Sequence, residues 1–197
     1  MKRFITFLVF ILYFIIGGNN AFSIAPDTFI KSTVDRAAKT LSSNLSKKDR
    51  IKELEEIAKD TVDINGIGLY SLGAYRKELN KEELATYRKV FESYFLKSFS
   101  SRLTEYSNPK IQVNSQKKIS ANYTIVSSTL VGTDTRPEVK IEWRVYTKYP
   151  DNLLIRDLII EGLSLARTQK EEFSSIISSN DGKIEALLKN LSDFTNK

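Results

Sequence analysis

Lys140-Ile141-Glu142-Trp143-Arg144-Val145 alternates charged and apolar side chains without interruption. A side-chain period of two puts Ile141, Trp143 and Val145 on one face of an extended segment and Lys140, Glu142 and Arg144 on the other, as in an antiparallel sheet with one wet face. Upstream, Ile111 and Val113, then Tyr123, Ile125 and Thr129, continue the alternation. Turn-forming residues at 132–137 and 149–152 bound the central segment. The run 153–160 is apolar at most positions on both faces, Arg156 and Asp157 excepted, and supplies a fourth strand.

Helical periodicity flanks this sheet on both sides. Phe29, Ile30, Val34, Ala37, Ala38 and Leu41 recur at three- and four-residue spacing, as do Ile51, Leu54, Ile57 and Ala58, with a join at 46–49. Residues 63–75 set Ile64, Ile67, Leu69, Tyr70 and Leu72 among Gly66, Gly68 and Gly73 and predict a short, closely packed helix or turn-helix. These glycines do not form a phosphate loop, since no strand precedes them and no Gly-Lys-Ser/Thr follows. Asn80 with Glu83 three residues on caps the strongest helix, whose stripe reads Leu84, Tyr87, Phe91, Tyr94, Phe95, Phe99 and Leu103. After Glu161 and Gly162 the helical period returns through Phe173, Ile176 and Ile177, breaks at 180–182, and resumes at Ile184, Leu187, Leu188 and Leu191. Helices, then a curved antiparallel sheet of about four strands, then helices describe an α+β domain. A curled sheet with helices on its concave side leaves room for an apolar pocket.

The first residues have another role. Lys2 and Arg3 precede an apolar run over 4–16, and Gly17, Gly18, Asn19 and Asn20 follow it, the layout of a signal peptide. Small residues at Ala21 and Ser23 place cleavage after Ser23, so residues 1–23 are a leader and 24–197 form one domain. The apolar run is shorter than the roughly 20 residues a helix needs to cross hydrocarbon, and no similar run follows. The mature chain is therefore expected to have no transmembrane span. The chain has no cysteine, which removes disulfides, thiolate metal sites and a lipid-modified cysteine anchor. An exported, cysteine-free chain of this size points to a bacterial periplasm. Removing Lys2 and Arg3 lowers the formal charge from +6 to +4. The charges are interspersed rather than clustered, so no nucleic-acid partner is expected, while weak attraction to anionic lipid headgroups fits.

The chain also has no histidine. Ser-His-Asp and Cys-His catalysis, imidazole acid-base chemistry and His-ligated zinc are impossible for it. Asp60 with Asp63, and Glu171 with Glu172, sit beside basic residues as solvated helix faces do. Ser115 and Lys118 spell Ser-x-x-Lys, but in a strand or hairpin, where the two side chains do not meet as they do on a helix. Asp181-Gly182 is a turn without the other ligands of a calcium loop.

Several of these stretches together resemble the MlaC (toluene-tolerance) family. They are Leu72-Gly73-Ala74-Tyr75, the capped helix with Glu82, Glu83, Phe91, Phe95 and Leu103, then Tyr106, and most closely Asp157-Leu158-Ile159-Ile160-Glu161-Gly162-Leu163-Ser164-Leu165 with Phe173, Ile176 and the terminal helix. The chain departs from the family pattern at Leu153 and at Gln169-Lys170. The resemblance implies an NTF2-like cone and a periplasmic phospholipid carrier. Its partners would be phospholipid, an inner-membrane ABC-type lipid transporter complex and an outer-membrane lipoprotein complex. It implies no enzyme activity and no cofactor beyond phospholipid cargo. A diacyl lipid with about 30 methylenes loses on the order of 20 kcal/mol if its tails meet water, so a carrier must hide them in a dry cavity. The expected walls are Ile67, Leu72, Tyr75, Phe91 and Phe95 from the helices and Ile141, Trp143, Val145, Leu158 and Ile160 from the sheet. Each would serve equally as ordinary core. Two other readings compete: an enzyme on the same cone using Asp157 as a proton acceptor, and a periplasmic protein-binding module.

Overall fold

The computed structural model describes residues 24–106 and 108–196; the expected signal peptide lies outside them. Four α-helices come first: α1 (Pro26–Leu41), α2 (Lys47–Thr61), α3 (Ile64–Ser71) and α4 (Lys81–Leu103), with a 3-10 turn (Tyr75–Lys77) between the last two. The sheet follows as β1 (Ile111–Ser120), β2 (Tyr123–Leu130), β3 (Val139–Tyr146), β4 (Leu154–Ile160) and β5 (Leu163–Ser164), in spatial order β1-β2-β3-β4-β5. Helices α5 (Leu165–Ser178) and α6 (Ile184–Asn196) close the chain.

Local chemistry sets the helix boundaries. Ser46 accepts from the Asp49 amide at the start of α2. Asn80 accepts from the Glu82 and Glu83 amides while the Glu83 carboxylate accepts from the Asn80 amide, which completes a capping box on α4. Asp181 and Gly182 both take positive φ between α5 and α6, a backbone that ends a helix.

All strand pairs are antiparallel. Register shifts in β1 and between β3 and β4 bend the ladder, because an extra residue on one strand increases local twist. The fifth strand is shorter than periodicity can detect. After β4, Glu161 (φ 48) and Gly162 (φ 83) turn the chain so that Ser164 pairs with Ile159 and Leu163 with Ile160.

Register also decides which face is buried. Across β2 and β3, Thr124 opposes Val145, Val126 opposes Trp143 and Ser128 opposes Ile141. The buried face of β2 is therefore Thr124, Val126 and Ser128, whereas the alternation singled out Tyr123, Ile125 and Thr129, which are half-buried on the other side. Ser128 can occupy this core face because its hydroxyl finds partners. Trp143 Nε1 donates to Ser128 Oγ at 2.8 Å, and Ser128 Oγ donates to the Ile141 carbonyl.

The apolar interior has two parts. Ile30 and Val34 of α1 pack on Val126, Trp143, Val145 and Ile155 of the sheet and on Leu153 just before β4. A second cluster joins Ile67 and Leu72 to Tyr87, Phe91 and Leu96 of α4, and to Phe173, Ile177, Leu187 and Leu191 of the last two helices. Val62, between α2 and α3, packs against both clusters.

Candidate functional site

Helix α1 lies along the sheet and is held near both ends. The Asp27 amide donates to Gln116 Oε1 at 3.2 Å, and Ser42 Oγ donates to Asn108 Oδ1 at 3.0 Å. It covers the β1–β2 part of the apolar face, where Val126 is fully buried. Ile141, Leu158 and Ile160, on the same face toward β4, remain half-buried. Pairing of Ile141 with Ile160 and of Trp143 with Leu158 fixes them as neighbours. The C-terminal part of α4 carries Phe95, Phe99 and Leu103, also half-buried.

The helical side is built around close backbone approach. A Cβ at Gly68 would lie 2.7 Å from the Phe91 ring, and Tyr87 Oη donates to the Gly68 carbonyl at 2.9 Å. A Cβ at Gly66 would meet the Asp63 carboxylate, which caps α3 by accepting from the Gly66 amide at 2.8 Å. Packing and capping thus explain Gly68 and Gly66, while Gly73 takes a positive φ (59) just past the end of α3. Tyr87 stacks on Phe91, and Phe173 meets both rings edge-on. Burial pushes the Tyr87 phenol well above its ordinary pKa, and burial followed by the nearby Glu172 charge raises Tyr94.

The ten expected wall residues divide between these two regions. Ile67, Leu72, Tyr75, Phe91 and Phe95 belong to the helical cluster. Ile141, Trp143, Val145 and Leu158 belong to the sheet cluster, and Ile160 stands beside Ile141. The sheet face is covered by α1, while the aromatic helix α4 packs on α2, α3 and α6. The alternation had no means of selecting Ile30 and Val34 as the side chains over Trp143.

The polar candidates have structural partners. Asp157 is 3% exposed and faces away from Trp143 and Leu158, beside Arg144. Its oxygens accept from Ser164 Oγ at 2.7 Å and from the Ala166 amide at 3.0 Å, with Arg144 Nη1 at 3.6 Å. Since Ser164 caps α5, Asp157 pins that helix to β4 and has no free access to the apolar face. Asp60 pairs with Arg36 and Asp63 with Arg156, so the two do not form a carboxylate dyad. Arg156 is the extra residue where Arg144 opposes Asp157 but Val145 opposes Ile155. The bulge turns its guanidinium to Asp63 at 2.6 Å and Tyr123 Oη at 2.9 Å, over the Tyr146 ring. Burial works against this charge, but the hydrogen bonds to Tyr123 and Asp63 outweigh it and raise the pKa.

These features define an α+β protein with a curved antiparallel sheet whose apolar face is wrapped by helices. The family model described as "MlaC protein" matches residues 31–193, and the chain belongs to the MlaC family. It is similar to the intermembrane phospholipid transport system binding protein MlaC of Haemophilus influenzae, at 27% identity over 128 residues that cover 62% of this chain. The chain spans 60% of the length of that curated relative. Its fold matches a phospholipid-binding protein from Ralstonia solanacearum, solved in complex with a phospholipid, with a TM-score of 0.73 and 18% identity. That match covers 88% of this chain and 98% of the other. Among the described residues no helix is long and apolar enough to cross a membrane.

Proposed function

We propose that this protein is a periplasmic phospholipid carrier that takes up acyl chains between the sheet, α1 and the C-terminal half of α4. The observation that carries the reading is the apolar sheet face beyond α1, where the neighbours Ile141, Leu158 and Ile160 remain half-buried, in a chain of the MlaC family. Apolar side chains left incompletely buried are where acyl tails gain most by displacing water. Among the other expected wall residues, Trp143 and Val145 are buried in the sheet cluster, and Ile67, Leu72, Phe91 and the half-buried Tyr75 belong to the helical cluster. Residues 1–23 act as a cleaved signal peptide, and 24–197 form one phospholipid-binding domain. The partners are an inner-membrane ABC-type lipid transporter complex and an outer-membrane lipoprotein complex, between which the carrier sustains outer-membrane lipid asymmetry. No catalytic residue is assigned; the placement of Asp157 at the start of α5 favours an architectural role. The test is mass spectrometry of organic extracts from protein purified after export, with uptake of labelled phospholipid from vesicles. Stoichiometric phospholipid supports the carrier, and its absence from both measurements rejects it.

A further inference from the structure

Two connections of the sheet meet at one end of the molecule. Ser120 pairs with Tyr123 across the β1–β2 turn, Tyr123 pairs with Tyr146, and the Thr147 amide donates to the Asn122 carbonyl at 2.8 Å. The β1–β2 and β3–β4 turns therefore form one joint tip. Ile119 is 49% exposed and Tyr149 56% exposed on this tip, and Lys117, Lys118 and Lys148 are exposed around them. Lys148 lies over the Tyr149 ring.

The tip is held rigid from behind. Tyr149 meets Tyr146 edge-on, Tyr146 packs on Tyr123, and Arg156 sits 3.5 Å from the Tyr146 centroid, tied to Asp63. Because Asp63 offsets Arg156, the tip's charge is set by the three lysines against Asp151 in the β3–β4 turn and Asp27, whose carboxylate is engaged by the Thr28 amide at the start of α1. The balance is cationic. Exposed aliphatic and aromatic side chains ringed by lysine match the depth profile of a bilayer interface, with an apolar layer under phosphates. An acidic protein surface would answer the lysines but would leave Ile119 and Tyr149 without a counterpart of known shape.

We infer that this tip docks the protein directly onto an anionic phospholipid bilayer, through Ile119 and Tyr149 inserted at headgroup level and Lys117, Lys118 and Lys148 on the phosphates. Docking of this kind does not require lipid in the interior. The test is flotation of the purified protein with protein-free vesicles of phosphatidylethanolamine and phosphatidylglycerol, against vesicles of phosphatidylcholine alone. Binding to the anionic vesicles is expected to weaken with salt and to fall roughly fivefold for each tip lysine changed to Gln. Ile119→Ser with Tyr149→Ser is expected to lower it roughly tenfold. A control that removes the same charge from α2, Lys47→Gln with Lys48→Gln and Lys52→Gln, should bind as the parent does. The inference is overturned if the parent does not float, if the tip variants float equally well, or if the α2 control loses as much as the tip variant. Flotation with neither co-purified lipid nor uptake would reject the carrier and keep the docking tip; bound or taken-up lipid without flotation would reject the tip alone.

Discussion

Replacing Asp157 with alanine separates an architectural carboxylate from a chemical one. In the folded chain its two oxygens accept from Ser164 Oγ and the Ala166 amide. Alanine leaves the buried amide without an acceptor, which costs about 1–3 kcal/mol. It also removes a negative charge from the N-terminus of α5, worth up to about 1 kcal/mol more. The Arg144 pair adds little, since that guanidinium is substantially exposed and 3.6 Å away. The sum, about 3 kcal/mol, corresponds to a fall in Tm of about 6–12 °C for a chain of this size. Asp157→Asn keeps an acceptor for the Ala166 amide and should cost about 1 kcal/mol. Thermal and urea unfolding followed by circular dichroism read the stability, and phospholipid bound per folded molecule reads the function. The architectural role predicts reduced stability with unchanged lipid content per folded molecule. An Asp157→Ala protein of parental Tm that has lost lipid handling would refute it.

The remaining predictions concern the two apolar clusters and their joint. Leu158→Asp places a charge on the half-buried sheet face and should cut co-purified phospholipid at least tenfold while the protein stays folded; lipid extraction with a circular dichroism control checks it. Gly68→Ala forces the Phe91 ring to move and should destabilise by about 1–3 kcal/mol, seen as a lower urea midpoint at unchanged slope. Arg156→Met removes the partner of Asp63 and should cost about 1–2 kcal/mol, less than a fully buried pair because both groups retain some solvent contact. The Tyr87 phenol has a raised pKa when folded, so its contribution is complete below the unfolded tyrosine value of about 10 and is lost as pH rises beyond it. Tyr87→Phe should flatten the decline of stability above about pH 10 in alkaline titrations, while losing the hydrogen bond to Gly68 at neutral pH.

Much of the architecture was legible in residue order because it depends on short-range rules. The Asn80 and Glu83 cap, the break at 180–182 and the alternation through Lys140 to Val145 each act within a few positions, so the element types follow from the chain alone. The aromatic stripe of α4 was equally plain, since Tyr87 and Phe91 must turn inward on any amphipathic helix. The function class was narrowed the same way by composition, as a chain without histidine or cysteine cannot carry imidazole or thiolate chemistry.

Tertiary structure alone decided how these parts face one another. The buried face of β2 was set by its register with β3, which brings Ser128 within reach of Trp143, and β5 by a turn at Glu161 and Gly162 followed by only two paired residues. The division of the expected walls into two clusters joined at Val62, and the bulge that frees Arg156 to reach Asp63 from 93 residues away, arise from contacts between distant segments. Periodicity reports which side of an element is apolar, because that is a property of neighbours along the chain. It carries no information about what that side meets, because register and partner are set by the energy of the whole packed interior.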